Sequence, residues 1–216
     1  MPTRVCKLCF KDIKDNSLNS ILGKKYSLCP ECYKKLEPKF IDFKVDGVKG
    51  LAIYEYNEDL KGLIYQFKGC FDYELKDIFL DRFKTVLKLY FYDYLAVPVP
   101  SYKDDDLVRN FNHVEEAFKG LNIKLLKIIE KTEKVKQSDR HKNERADIGS
   151  YLRINTDKSL KGKKILLVDD IYTTGSTIKA CLNLLKTLQP KKIKVLVLCK
   201  VKQIEHIGKS NINKLY

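Results

Sequence analysis

The feature that most constrains this chain is the run Ile165-Leu-Leu-Val-Asp-Asp-Ile-Tyr-Thr-Thr-Gly-Ser-Thr177. Its first four residues, Ile165 to Val168, are all apolar and leave no polar face, which suits a strand buried on both sides in the middle of a parallel sheet. Two carboxylates, Asp169 and Asp170, then emerge at the C-terminal edge, where open α/β sheets place their ligands. Carboxylates accept hydrogen bonds and suit the vicinal hydroxyls of a ribose, or a magnesium ion held through water. Thr173, Thr174, Gly175, Ser176 and Thr177 add hydroxyl donors, a glycine that admits close backbone approach, and the free N–H groups of a helix start. Together they form a receptor for a dianionic phosphate beside a sugar, as in a 5-phosphoribosyl group. The competing reading is a plain strand end and helix cap, where these residue types are common. No Gly-Lys-Ser/Thr closes the run and no Gly-x-Gly-x-x-Gly turn is present, so neither a Walker loop nor a dinucleotide turn is indicated.

Around this run, strand and helix patterns alternate. Gly50 to Tyr56 reads as a strand, and Asp59 caps a helix reaching about Phe67, with Lys68-Gly69 as its stop. From Tyr73 to Phe91 the apolar residues keep helical spacing, which puts Leu75, Ile78, Phe79, Phe83, Val86, Leu87 and Tyr90 on one core-facing stripe. Tyr94 to Val99 is a short buried strand, Asp106 to Leu121 a helix, and Lys124 to Ile129 another strand. Glu130 to Arg153 is polar and lacks apolar periodicity, the pattern of a long loop or lid. The strand Ile165 to Val168, the helix Thr177 to Leu188 and the strand Lys192 to Cys199 complete the chain, broken at Pro190. This order predicts a mostly parallel α/β sheet with right-handed crossovers.

Four of the seven cysteines, Cys6, Cys9, Cys29 and Cys32, fall in the first 32 residues as two C-x2-C pairs. Each pair lets two thiolates converge on one cation from a tight turn, and two pairs complete a tetrahedral site. Sulfur softness favours zinc, with an iron-sulfur centre or a site that has lost its metal as the alternatives. Four protein ligands leave no open position, so the expected role is structural. A segment this short has too little apolar content to fold alone, and a metal supplies the difference. Pro38 to Lys49 then reads as a linker, giving a finger over residues 1–42 and an α/β domain over 43–216. Cys70, Cys181 and Cys199 are scattered.

The N-terminus lacks the apolar run of a signal peptide, and the stretch Val86 to Pro100 is interrupted by Lys88 and Asp93, so a cytoplasmic protein without membrane insertion is expected. The net charge of +14 favours polyanionic partners, although Lys spread through every segment is also the pattern of a solvated surface. Lys136, Arg140, Lys142 and Arg145 lie in the polar loop and suit a nucleic-acid backbone, a basic lid, or plain solvent. His113, His141 and His206 show no metal spacing and read as ordinary surface or helix residues.

The run from Ile165 to Thr177 resembles the signature of type I phosphoribosyltransferases, with Tyr172 standing where most members carry a small aliphatic residue. The four-cysteine finger, Lys68-Gly69, Val97-Pro-Val-Pro100, Arg109-Asn-Phe-Asn-His113 and the segment Gln137 to Ile148 occur in the order seen in the ComF (ComFC-like) competence family. That family usually reads Arg-Gly-Phe-Asn-Gln where Asn110 and His113 stand here. The resemblance implies a type I phosphoribosyltransferase fold with an N-terminal zinc finger. Asp169 and Asp170 would hold the ribose hydroxyls, Thr173 to Thr177 would cradle the 5′-phosphate, and Val99, Pro100 and Ser101 would face the pyrophosphate of Mg²⁺-bound phosphoribosyl pyrophosphate. The stretch around Arg140 to Arg145 would be a mobile hood. It further implies a role in natural transformation, with single-stranded DNA and other uptake machinery, a helicase or membrane channel, as partners. A working phosphoribosyltransferase acting on a nucleobase or nucleic-acid acceptor is the alternative, and the residues name no catalytic side chain.

Overall fold

The structure is a computed structural model and describes residues 4–13, 26–101, 103–132 and 151–202. It begins with a turn carrying Cys6 and Cys9, followed by α1 (Pro30–Leu36), β1 (Pro38–Val45), β2 (Val48–Glu55) and α2 (Glu58–Lys68). A 3-10 helix (Tyr73–Asp77), α3 (Lys84–Tyr90), β3 (Tyr94–Pro98), α4 (Lys103–Arg109) and α5 (His113–Lys119) come next. Then follow β4 (Ile129–Lys131), β5 (Leu152–Ile154), β6 (Lys164–Tyr172), α6 (Ser176–Thr187) and β7 (Lys192–Lys200). Five strands form one sheet in the order β1-β2-β7-β6-β3, parallel except for the β1–β2 hairpin, while β4 and β5 make a separate antiparallel ribbon. The expected mixed α/β architecture with a mostly parallel sheet is therefore present.

The apolar run of β6 is buried on both faces, as its sequence requires. Leu166 and Val168 join a core with Ile53, Phe79 and Phe118, while Ile165 and Leu167 join one with Ile178, Leu182 and Leu185 of α6. Burial of each such side chain is worth roughly 1.5–3 kcal/mol. The first core also takes in Cys6, Leu28, Cys29, Cys32 and Leu36, so the cysteine segment is seated on the domain instead of standing apart. Two polar ties reinforce that seat. The Ser27 N–H donates to Asp81 at 2.6 Å, and the Arg82 guanidinium lies between the rings of Tyr26 and Tyr33, 4.5 and 3.9 Å from their centroids.

Several local expectations are corrected. The stretch read as a linker, 38–49, is largely the β1–β2 hairpin, turned at Asp46-Gly47, both with positive φ. The cap of α2 is Asn57, whose side chain accepts from the Leu60 N–H, not Asp59. The stripe from Tyr73 to Phe91 is two short helical pieces joined by turns, and Val86 and Tyr90 are exposed while Leu80 and Phe91 are buried. The helix expected from Asp106 to Leu121 breaks at Asn110, which takes φ 62°, and restarts under the Asn112 cap. Asparagine tolerates that left-handed conformation, which explains how it stands where the related family carries glycine. The strand expected over Lys124 to Ile129 is a single bridge from Leu125 to Ala96, and pairing resumes at β4, whose partner β5 closes the far end of the polar loop. β6 itself runs four residues past Val168, so the acidic pair lies within the strand. No helix among the described residues is long and apolar enough to cross a membrane.

Candidate functional site

Alternation along β6 decides where the two carboxylates go. Successive strand residues face opposite sides of a sheet, so Asp169 follows Leu167 toward α6 and Asp170 follows Val168 toward α2 and α5. Asp170 there meets two side chains from distant segments. Lys68 Nζ, at the end of α2, and His113 Nε2, at the start of α5, each lie 3.1 Å from its Oδ2. Its Oδ1 accepts the Ile171 N–H at 2.8 Å, and Asp169 Oδ1 accepts the Asp170 N–H at 2.9 Å.

The electrostatics separate the pair. Burial opposes charge on Asp170, but His113 and Lys68 outweigh it and hold the carboxyl well below the usual carboxylate range. Asp169 is raised well above that range by burial, and the charge of its neighbour pushes it further. One carboxylate is thus fixed as an anion and the other is reluctant to ionise, the usual outcome for adjacent acids in a poorly solvated place.

His113 opens α5, so it is a helix residue as expected, but at 4% exposed it is buried and not an ordinary surface one. Its Nδ1 lies 2.8 Å from Arg109 NH1, a group that can only donate, so Nδ1 accepts and Nε2 carries the proton given to Asp170. Arg109 is in turn 3.4 Å from Asp106, whose other oxygen accepts from Ser101 Oγ at 2.6 Å and from Asn112 Nδ2 at 2.8 Å. A continuous network therefore runs from the loop after β3 through α4 and α5 to the acidic pair.

The phosphate loop is shaped by one glycine. Gly175 has φ 77°, and a Cβ there would fall 2.6 Å from the Tyr172 hydroxyl. Tyr172, the residue that departs from the phosphoribosyltransferase signature, turns inward and packs on Phe43 of β1 at 4.5 Å between ring centroids. Its ring therefore supports the loop from behind. Thr174 Oγ1 and Ser176 Oγ lie 3.0 Å apart at the start of α6.

One cavity of about 400 Å³ gathers Asp169, Asp170, Thr173 and Thr177 with Val99, Pro100 and Ser101, and adds Lys68, Arg109 and His113. Thr174, Gly175 and Ser176 continue the same loop but do not line this cavity. Lys136, Arg140, Lys142 and Arg145 lie outside the described residues. In the sequence Lys68 stands out only as half of a Lys-Gly pair, and nothing in local spacing tells that it spans 102 residues to reach Asp170. The one available signal was the pairing of a family-marked Lys with a His in a stretch otherwise typical of the family.

At the other end of the chain, the sulfurs of Cys6, Cys9, Cys29 and Cys32 all lie within 4.8 Å of one another, a group able to hold a metal ion. The Cys9 and Cys29 sulfurs are 3.7 Å apart, against the edge of about 3.8 Å that a tetrahedron with 2.3 Å zinc–sulfur bonds requires. Backbone N–H groups of Cys29 and Cys32 point at the sulfurs of Cys6 and Cys29, at 3.3 and 3.5 Å. Burial resists a charge on Cys6, yet the surrounding N–H groups bring its thiol down to about 6, whereas burial and the neighbouring sulfurs push Cys32 up. Such crowding of like charges suits a site completed by a cation. Cys181 and Cys199 are buried core residues, their thiols pushed up to about 12 by burial, and Cys70 is exposed.

Comparison with known proteins finds one domain family and several similar chains. The phosphoribosyl transferase domain family matches residues 119–209. The competence protein ComFC of Streptococcus pneumoniae is 33% identical over 172 residues, 77% of this chain and 77% of that protein. ComFC of Bacillus subtilis is 28% identical over 129 residues, 59% of this chain and 53% of its own. Among solved structures, a purine phosphoribosyltransferase from Pyrococcus horikoshii aligns with TM-score 0.36 and 21% identity over 56% of this chain and 73% of its own. A hypoxanthine phosphoribosyltransferase from Trypanosoma cruzi aligns with TM-score 0.39 and 13% identity over 59% and 64%.

Proposed function

The chain belongs to the ComFC family of competence proteins and carries a phosphoribosyl transferase domain, and from that premise we propose that it binds a phosphoribosyl ligand and single-stranded DNA during DNA uptake. The observation that carries the ligand part is the single cavity in which the acidic pair, the Thr173–Thr177 loop and the Val99–Ser101 loop meet. In this reading Asp169 and Asp170 accept from the ribose hydroxyls, and Thr173 and Thr177 with the N–H groups opening α6 receive the 5′-phosphate. Val99, Pro100 and Ser101 face the pyrophosphate, and Lys68 offsets part of its charge. Mg²⁺ enters with phosphoribosyl pyrophosphate, for which the hard oxygen donors of this cleft are suitable. The zinc of the finger is structural, because four thiolates leave no position for a reactant.

The test is a calorimetric titration of the full chain with phosphoribosyl pyrophosphate, with and without Mg²⁺. Binding that requires Mg²⁺ and is lost in Asp170→Asn is the expected result; a wild-type chain that takes up no heat at millimolar ligand overturns the phosphoribosyl reading. The DNA reading is tested separately by titrating single-stranded oligonucleotides over a salt series. Affinity should fall linearly on logarithmic axes as phosphate contacts give up counterions, and no binding at low salt removes it.

A further inference from the structure

Lys68-Gly69 serves two cavities. Lys68 reaches Asp170 in the phosphoribosyl cleft, while on its other side lies a second cavity of about 580 Å³, within the range of small-ligand sites. Lys68 and Arg109 line both, so the two spaces adjoin through a pair of cations. The rest of the second lining is chiefly aromatic and basic: Tyr56, Tyr65 and Phe71 supply rings and Lys61 a further cation, and no carboxylate lines it among the described residues.

The rings of this lining are accessible. Tyr65 is 67% exposed and Phe71 44% exposed, so both rings are open to a ligand arriving from solvent. Tyr65 is nonetheless held in position. Its ring lies on the backbone of Gly69, where a Cβ would sit 2.9 Å from Tyr65 Cε2, and the Gly69 N–H donates to the Tyr65 carbonyl at 2.6 Å. The glycine of the pair is therefore the bed of the ring, as the lysine is the bridge to the cleft. Lys61, Tyr65 and Lys68 share one face of α2 by their spacing, which puts a ring between two ammonium groups. Lys61 pairs with Glu58 in an exposed contact at 3.2 Å, weak enough to yield to a phosphate.

We propose that this cavity receives an unstacked base of a single-stranded nucleic acid, stacked on Tyr65 and Phe71, while Lys61 and Lys68 take the adjoining phosphates. The inference rests on the single-strand reading given above and assigns it a place. Interleaved rings and cations without carboxylates match a polyanion whose bases present π-faces, and such stacking is tolerant of sequence because every base has one. The open, solvent-facing rings suit a base that arrives on a chain and leaves by the side. Continuity with the phosphoribosyl cleft means that a strand bound here passes within reach of Lys68, the side chain that also holds Asp170.

The test uses the zinc-loaded full chain and two oligonucleotides with equal phosphate number, one a thymidine strand carrying a single 2-aminopurine, the other abasic throughout. The chain has no tryptophan, so stacking is read directly from quenching of the 2-aminopurine. The base-bearing strand should bind about ten-fold more tightly than the abasic one, the size of one stacked base, and be quenched. Tyr65→Ala should remove most of that preference and the quenching, Tyr65→Phe should keep both, and Gly69→Ala should weaken both by displacing the ring. Affinity for Mg²⁺-bound phosphoribosyl pyrophosphate should be the same in Tyr65→Ala as in the wild type. Equal binding of both strands by the wild type overturns the base site and leaves the single-strand reading standing. A Tyr65→Ala, Phe71→Ala double variant that melts normally and keeps the base preference likewise overturns the site. Binding of neither strand at low salt overturns site and reading together. Thymidine monophosphate competing as well as the strand gives the cavity to a free nucleotide and also overturns the proposal.

Discussion

The finger and the cleft both crowd acidic groups into a confined place, but they differ in where the compensating charge comes from. Around Cys6, Cys9, Cys29 and Cys32 the protein offers backbone N–H groups and no side-chain cation within hydrogen-bonding distance of the sulfurs among the described residues. Around Asp170 it brings Lys68 and His113 from two separate helices. With the metal proposed for it, the cluster takes its compensating charge from outside the chain, whereas the acidic pair takes it from side chains of the chain itself. A site built to exchange a ligand has to be stable without it; a site built to hold a metal permanently does not. The difference fits the structural role proposed for one end of the molecule and the recognition proposed for the other.

The largest expected effect follows from removing the metal. Cys6, Cys29, Cys32, Leu28 and Leu36 share one core with Ile53, Tyr54 and Phe79, so loss of the cluster opens the domain as well as the finger. Cys29→Ser, or treatment with a strong zinc chelator, should cost about 4 kcal/mol or more and lower the melting temperature by about 10 °C, reversibly on adding zinc to the wild type. Thermal melting monitored by circular dichroism checks this. A shift of about a degree or less would mean that the finger hangs free of the core and that the contrast drawn above fails.

A smaller effect of opposite sign belongs to the cleft. Asp169 is raised by burial and by Asp170, so the unfolded chain loses its proton first as pH rises above the ordinary value of 3.8, and folding is disfavoured from there up to the folded-state value. Asp170 is depressed, so its contribution is favourable above 3.8 and disappears as pH falls through its folded-state value. Asp169→Asn keeps the oxygen that accepts the Asp170 N–H and removes the strained charge. It should raise stability at neutral pH by on the order of 1 kcal/mol, with the gain shrinking as pH falls toward 4. It should also weaken phosphoribosyl pyrophosphate binding. Melting curves across pH decide the matter, and a variant less stable than wild type at pH 7 would show that Asp169 carries no such strain.

How legible each region was in the sequence follows the same division. The cysteine pairs and the run from Ile165 to Thr177 are local patterns; the thiol cluster forms as their spacing implied, the helix starts one residue early, and the strand is found but runs on through the acidic pair. The cations of the cleft are not local: Lys68 and His113 lie 102 and 57 residues from Asp170 and meet it only because β6 alternates faces. Periodicity alone also misread Tyr73 to Phe91, since apolar residues at helical spacing are equally compatible with short helical turns folded over a core. The break at Asn110 was hidden because a residue with an ordinary side chain occupies the left-handed position.

The finest test of the self-supplied charge is His113. In this geometry its Nε2 donates to Asp170 while its Nδ1 accepts from Arg109. A glutamine amide offers the same two functions, an N–H and a carbonyl oxygen, which gives a physical reason for the residue that the related family usually carries here. His113→Gln should therefore change stability by no more than about 0.5 kcal/mol and leave phosphoribosyl pyrophosphate affinity within about three-fold. His113→Leu fills similar space without either function, leaving Arg109 and Asp170 each short of a partner in a buried place, and should cost about 1–2 kcal/mol. Chemical denaturation of the two variants in parallel makes the comparison. Equal stabilities would mean that the imidazole acts only by volume and that Lys68 alone secures the acidic pair; a gap in favour of glutamine would mean that the relay through Arg109 is what fixes it.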